Sequence, residues 1–109
     1  MLPGVEHAVV EPAKIREYLL SQSHPVGRFK AVVFFSLGYT AEDWAKLRDD
    51  ILFLAKSGEA RPGQRSEYGQ KYEVSGTLQG PNGRARSITT VWLVPVSDNR
   101  PKFITAFPG

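Results

Sequence analysis

A short segment of the chain brings an imidazole, a flexible glycine and two cations together within seven residues. The segment reads His24-Pro25-Val26-Gly27-Arg28-Phe29-Lys30. If a helix begins at Arg28, its free backbone N–H groups add an anion-binding end to the charges of Arg28 and Lys30. The segment therefore predicts a phosphate site around His24. In an arbitrary sequence, the same residues are more often a turn histidine and a solvated lysine.

A second group of candidates lies on one face of a predicted strand. Its members alternate along the chain: Arg84, Arg86, Ile88, Thr90, Trp92 and Val94. The two arginines, a hydroxyl and an indole could follow a phosphate backbone and stack on a base. The alternative is that Ile88 and Trp92 belong to the core and Thr90 is an ordinary strand residue. Three further residues allow the same two interpretations, with the core favoured for the second: Tyr68, Tyr72 and Thr105.

Several common kinds of catalytic site have no counterpart in the sequence. The chain has no cysteine, which excludes disulfides, a thiolate nucleophile and a cysteine zinc site. No glycine-rich phosphate loop opens a helix, and no serine lies in a nucleophile-elbow pattern. The carboxylates of Asp49 and Asp50 are expected on a solvated helix face. We therefore predict neither a metal nor a cofactor.

Two helices are expected to position the histidine segment. The first begins at Glu11-Pro12, since proline suits a first helical turn, and ends where His24 precedes Pro25. The next apolar segment, Phe29 to Leu37, could be a buried strand by its β-branched and aromatic content. A short helix is favoured, because Gly38 stands where a helix-ending glycine is common.

A third helix is indicated by Thr40 and Asp43, which resemble a capping box. Its apolar stripe follows at helical spacing: Trp44, Leu47, Ile51 and Leu54. Residues 59–69 are polar and rich in glycine and proline, which predicts a loop.

Beyond that loop the apolar period changes from helical to alternating, which predicts strands. The turn Gly80-Pro81-Asn82-Gly83 contains an Asn-Gly pair and indicates a hairpin. Short turns require antiparallel strands. The predicted fold is α+β: two or three N-terminal helices packed on one face of a three- to four-stranded antiparallel β-meander. One domain, 1–109, would contain a helical half (11–58), the loop (59–69) and the sheet (70–107).

The charge distribution is mildly basic. The net charge is +3, and no acidic residue lies between Glu73 and Asp98, so this part of the surface would tolerate a polyanion. The first 20 residues lack a secretion signal, and no apolar run approaches the ~20 residues of a membrane helix. We therefore predict a cytoplasmic protein with no membrane contact. An exposed edge strand near Phe103 to Phe107 permits a monomer or a dimer.

Ordered motifs along almost the whole chain resemble a bacterial family of short, functionally uncharacterised proteins. In the N-terminal half they are Lys14 to Leu20, His24 to Arg28, Lys30-Ala31 and Leu37-Gly38-Tyr39. In the C-terminal half they are Tyr68-Gly69, Gly80 to Gly83, Thr90-Val91-Trp92 and Phe103 to Pro108. Related motifs occur in C-terminal toxin domains of bacterial polymorphic toxins, which are similar in layout to metal-independent ribonucleases of the barnase, colicin and RelE group.

The resemblance implies a toxin-like, metal-independent ribonuclease that binds RNA and is encoded beside a small neutralising protein. A ribose 2′-hydroxyl would attack the adjacent phosphorus and leave a 2′,3′-cyclic phosphate. The implied roles are acid or base for His24, charge stabilisation for Lys30 with Arg28 or Arg84, phosphate orientation for Thr90 or Thr105, and base stacking for Trp92 or Tyr68. The alternative is a non-enzymatic protein-interaction module of a two-gene bacterial system.

Overall fold

A computed structural model of the chain describes residues 2–109. A short 3-10 turn, Val5–His7, precedes helix α1, which is an α-helical turn (Pro12–Lys14) continued by a π-helical turn (Ile15–Leu19). Two α-helices follow: α2 (Gly27–Ser36) and α3 (Trp44–Ser57). The strands are β1 (Glu59–Ser66), β2 (Gly69–Gln79), β3 (Ala85–Pro95) and β4 (Lys102–Pro108).

The four strands form one antiparallel sheet in the order β1-β2-β3-β4. This arrangement confirms the predicted α+β fold with a β-meander. The Asn-Gly hairpin is present, and Gly83 takes the positive φ of 86° that its turn requires. None of the helices in residues 2–109 has the length and hydropathy needed to span a bilayer.

The ambiguous apolar segment is helical, as the interpretation from Gly38 favoured. Gly38 adopts φ 96° immediately after α2, and its N–H donates to the carbonyl of Phe35 (3.0 Å). The ambiguity has a physical cause, because α2 carries apolar residues all round. It buries Ala31 and Phe34 but leaves Phe29 and Val32 exposed.

Helix α3 confirms its predicted stripe. The N–H of Asp43 donates to the Thr40 hydroxyl (3.1 Å) just before the helix begins. Leu47, Ile51 and Leu54 are buried against the sheet side of the core. The spacing therefore identified the buried face of the helix, whereas the helix begins at Trp44, later than a cap at Thr40 would place its start.

The loop predicted over residues 59–69 is wrong for most of its length, because Glu59–Ser66 is the edge strand β1. Nearly all its side chains are exposed, so no alternation of apolar residues marks it. Backbone pairing with β2 is enough to hold an edge strand, and an irregularity in register between Pro62 and Arg65 accommodates the proline there.

The face of β3 that carries Ile88, Thr90 and Trp92 lies in the core rather than in a cleft. The Thr90 hydroxyl donates to the Val74 carbonyl (2.9 Å) and accepts a hydrogen bond from Trp92 Nε1 (2.8 Å). Trp92 is 0% exposed and packs edge-on against Phe103 at 5.4 Å. These contacts correct the predicted roles of Thr90 and Trp92, since a fully buried indole cannot stack on a base.

The buried hydrogen bond between Thr90 and Trp92 predicts the effect of Thr90→Val. The isosteric change leaves the indole N–H of Trp92 without an acceptor, which should lower the free energy of unfolding by about 1–3 kcal/mol. Denaturant unfolding measures this change. Thr77→Val, on the exposed side of β2, is the control and should stay within about 0.5 kcal/mol of the parent. Equal stability of Thr90→Val and the parent would contradict the assigned contact.

Candidate functional site

A hydrogen-bonded triad of polar side chains joins α1, α2 and β4. The Lys30 ammonium donates to the Tyr18 hydroxyl (2.8 Å) and to the Thr105 hydroxyl (2.8 Å). The Tyr18 and Thr105 oxygens lie 3.0 Å apart and share a further hydrogen bond. His24 adjoins this triad, because its ring meets the Tyr18 ring edge to face at 4.9 Å. Three predicted catalytic residues, His24, Lys30 and Thr105, are therefore close together.

Gly27 allows the start of α2 to touch α1. A Cβ at Gly27 would lie only 2.0 Å from the Tyr18 carbonyl oxygen, well inside van der Waals contact. Tyr18 itself belongs to the π-helical turn, in which the Leu20 N–H reaches back to the Ile15 carbonyl (2.9 Å). The close approach therefore holds Tyr18 beside the first turn of α2, from which Lys30 projects.

His24 also has a structural role at the entrance to α2. Its Nδ1 accepts hydrogen bonds from the backbone N–H groups of Val26 (3.0 Å) and Gly27 (2.9 Å). Its carbonyl accepts from the Arg28 N–H (3.1 Å). The imidazole thus caps the turn leading into the helix. Because Nδ1 is an acceptor, the proton of the neutral ring lies on Nε2, which is left to act as a donor.

The electrostatic environment of Tyr18 favours its phenolate. Burial raises the pKa of Tyr18, but hydrogen bonds from Lys30 and Thr105 and the charges of Lys30 and Lys14 outweigh burial and lower it overall. The Lys30 and Lys14 ammonium groups lie 5.2 and 5.7 Å from the centre of the Tyr18 ring. The phenol is therefore more acidic than an ordinary tyrosine.

An open groove of about 610 Å³ borders these residues. Its lining comprises Glu11, Ala13, Lys14, Glu17, Tyr18, His24, Val26, Ile104 and Thr105. Within residues 2–109, no three histidine or carboxylate side chains are grouped closely enough to hold a metal ion. The groove therefore offers a phenol, an imidazole and the Lys14 cation to a ligand, and Glu11 and Glu17 belong to the same lining. Lys30 is not part of the lining and is connected to the groove through its hydrogen bonds to Tyr18 and Thr105.

The remaining predicted binding residues lie away from the groove. Arg84 and Arg86 follow the β2–β3 turn, which contacts the far end of α2 through a hydrogen bond from Asn82 to the Ser36 carbonyl (3.0 Å). That end is six residues beyond Lys30, or about 9 Å at ~1.5 Å per residue. Tyr68 is exposed at the β1–β2 turn. These positions correct the prediction that the three residues join His24 in one site.

Arg28 also points away from the triad. Its guanidinium lies over the Phe29 ring at 4.8 Å, beside a separate depression on α2. Sequence reasoning did not single out Tyr18, whose spacing from Ile15 suits the apolar side of the first helix. The signal in the sequence was the hydroxyl of Tyr18, since a residue that only packs in the core needs no polar group.

The model of one protein family matches residues 1–109, the whole chain; its description is a domain of unknown function, DUF6883. The chain belongs to the DUF6883 family. Comparison of its sequence with curated proteins finds no match.

Among solved structures, this DUF6883 domain is similar to one chain of a contact-dependent growth inhibition toxin–immunity protein complex from Klebsiella pneumoniae 342. The TM-score is 0.71, the sequence identity is 20%, and the match covers 96% of each chain. At this identity, the similarity shows a shared fold.

The contacts of Lys30 predict how Tyr18 titrates. In Lys30→Met, the pKa of Tyr18 should rise, because burial persists while the cation and its hydrogen bond are lost. The ultraviolet absorbance of tyrosinate measures the pKa of Tyr18. The part of the absorbance change that disappears in Tyr18→Phe identifies the contribution of Tyr18. Tyr39 should titrate late, since burial and its hydrogen bond to Asp50 raise the pKa of Tyr39.

Lys56→Met, an exposed change on α3, is the matched control and should leave the titration of Tyr18 unaltered. An identical Tyr18 titration in Lys30→Met and the parent would refute the electrostatic role given to Lys30.

Proposed function

We propose that the chain is a toxin-type ribonuclease that cleaves RNA without a metal ion, by attack of a ribose 2′-hydroxyl on the adjacent phosphorus. The observation that carries this proposal is the triad of Tyr18, Lys30 and Thr105 beside His24 on an open groove. It supplies an acidified phenol in the groove lining, with the Lys30 cation hydrogen-bonded to that phenol, and Lys14 adds a cation to the lining itself.

The hydrogen bonds of His24 favour a donor role over the acid–base role predicted from sequence. Two backbone N–H groups donate to Nδ1. Nδ1 is therefore occupied as an acceptor and is not free to exchange a proton with the substrate. The ring instead offers the Nε2 proton to a phosphoryl oxygen. Preorganised donors of this kind stabilise charge that develops in a transition state.

Tyr18 is the best-placed general base. As a phenolate, it accepts the proton of the 2′-hydroxyl, and the hydrogen bonds from Lys30 and Thr105 hold its oxygen in place. The 2′-oxygen then attacks phosphorus and the bond from phosphorus to the 5′-oxygen breaks. A 2′,3′-cyclic phosphate remains, and the departing oxygen takes a proton from water.

Lys30 stabilises the phosphoryl charge. An ammonium group has three N–H donors, and two are used by Tyr18 and Thr105. Within residues 2–109, none of the ion pairs involves Lys30. Lys30 is not part of the groove lining, so its charge acts on a bound phosphate from beside the hydroxyls of Tyr18 and Thr105.

The shared fold with a chain of a toxin–immunity protein complex supports a role in a two-gene toxin and immunity system. In that setting, RNA is the substrate, a neutralising protein is the partner and the cytoplasm is the place of action. A non-enzymatic interaction module is the second candidate function, favoured by the apolar residues that α2 exposes.

The proposed roles predict how variants cleave RNA. Tyr18→Phe should lower the cleavage rate by about 10²–10⁴-fold, because the base is lost. His24→Asn keeps an acceptor for the two N–H groups but removes Nε2, and it should cost about 10²–10³-fold. Purified protein is incubated with total RNA, with and without a chelator, and the parent rate should be the same in both.

Tyr68→Phe is the matched control, since Tyr68 is an exposed tyrosine outside the groove; it should cleave at the parent rate. Cleavage by Tyr18→Phe as fast as by the parent would end the assignment of the base. A parent protein that cleaves no RNA would leave the interaction module as the function.

The pH dependence of cleavage gives a separate prediction. A general base works only when deprotonated, so the rate should rise with pH and level off at the lowered pKa of Tyr18. The inflection should coincide with the Tyr18 titration seen by absorbance and should move to higher pH in Lys30→Met. A rate that falls as Tyr18 deprotonates would contradict the mechanism.

A further inference from the structure

We propose that the outer face of α2 is the docking surface for an acidic protein partner, whose binding also covers the groove. This outer face is defined by Val26, Phe29 and Val32, with Phe35 at its end. The first three side chains are 53%, 67% and 68% exposed. Their spacing of three residues places them on one side of the helix. The inference of covering rests on the proposed function.

The outer face differs from the other exposed apolar residues by being clustered. Phe53 is equally exposed but stands alone on α3, and the equally exposed Tyr68 and Val96 form only a pair of turn residues, with the Val96 N–H donating to the Tyr68 carbonyl (3.1 Å). On α2, the exposed residues adjoin a depression of about 420 Å³ lined by Gln22, Arg28, Phe29, Ala31, Val32 and Phe35. A contiguous apolar patch with a depression is typical of a protein interface.

The charges around the outer face select an acidic occupant. No Asp or Glu occurs between Glu17 and Glu42 in the chain. Glu11 and Glu17 line the groove beside Val26, whereas the depression beside Phe29 is lined by Arg28 and by no carboxylate. The Arg28 guanidinium lies over the Phe29 ring at 4.8 Å, and within residues 2–109 none of the ion pairs involves it. Its N–H edge is therefore free for a partner carboxylate, beside the apolar side chains that a partner would bury.

A second copy of this chain fits the outer face poorly. A two-fold dimer places the same patch against itself, so Arg28 would approach Arg28 with no acidic residue on this stretch to compensate. Like charges in contact disfavour association. RNA also fits poorly, because the Arg28 guanidinium already lies over the Phe29 ring, and the aliphatic side chains of Val26 and Val32 provide neither a stacking surface nor a hydrogen bond.

The outer face continues into the groove, so a partner docked on it would affect activity. Val26 is exposed at the head of the outer face and also lines the groove beside His24. A partner seated on Phe29 and Val32 therefore extends over the His24 end of the groove. Binding there would exclude RNA from Tyr18 and Lys30 without contacting the hydrogen bonds between them.

The test measures binding of the protein encoded by the gene next to this one, by titration calorimetry. The full chain carries His24→Asn, so that binding is measured without RNA cleavage. Adding Phe29→Ser should raise Kd by about tenfold or more, as for a central apolar anchor. Phe53→Ser, on the equally exposed Phe53 of α3, is the matched control and should change Kd by less than about twofold.

Arg28→Glu should also weaken binding, and the effect should shrink at high salt. Phe29→Ser alone should cleave RNA like the parent but escape inhibition by the partner. The proposal is overturned if the adjacent gene product does not bind, or if Phe29→Ser and Arg28→Glu bind it like the parent. It is also overturned if Phe29→Ser instead abolishes a dimer in sedimentation or weakens RNA binding.

Failure of the proposed function has a different result. A parent protein that binds the partner through Phe29 and Arg28 but cleaves no RNA would keep the docking surface and refute the ribonuclease. If Phe29→Ser cleaves RNA and the partner still inhibits it fully, the docking surface is refuted and the ribonuclease is kept.

Discussion

The uncompensated charge of Lys30 is the interaction on which the candidate site depends. Its ammonium lies between two neutral hydroxyls, those of Tyr18 and Thr105, which are 87 residues apart in the chain. A half-buried ammonium without a carboxylate has lost part of its hydration and gained no opposite charge. Formation of the Tyr18 phenolate or arrival of a phosphate supplies that charge. The same cation therefore joins three elements and favours negative charge at Tyr18, in a groove whose lining also contains Lys14, Glu11 and Glu17.

The backbone around His24 and Gly27 sets the geometry in which this cation acts. The absence of a side chain at Gly27 allows α2 to start against the Tyr18 carbonyl. The His24 ring fixes the direction of α2 by accepting two of its first N–H groups. Because one imidazole nitrogen is used in this way, only the other can meet a ligand. One nitrogen of the ring thus has a structural role, and the other is available for chemistry.

The sequence predicts those parts of the fold in which a side-chain pattern and the buried face coincide. The stripe Leu47, Ile51 and Leu54 on α3 is such a case, and so is the Asn-Gly hairpin. Strand β1 escapes prediction because an edge strand held by backbone pairing needs no apolar alternation.

The face of β3 shows what an alternating pattern leaves undetermined. Alternation says that Ile88, Thr90 and Trp92 share a side, but it does not say which side the helices cover. Ile88 was the available signal, since a β-branched aliphatic residue between two candidates favours the core. For the site, the proximity of His24 and Lys30 follows from their spacing in the sequence. The position of Thr105 depends on the packing of β4 against two helices, which no local pattern predicts.

Helix α2 explains why one segment is both hard to predict and central to the molecule. Its inner side needs Ala31 and Phe34 for the core, its first turn needs Lys30 for the triad, and its outer side retains Phe29 and Val32 in water. An apolar outer side does not help the fold, and a polar one would have given the ordinary amphipathic pattern. Under the proposed function, the groove must admit RNA when the chain is alone and be closed when the neutralising protein is bound. An apolar surface that begins at the groove and leads away from it meets both requirements, because a protein can bind it while an RNA chain gains little from it.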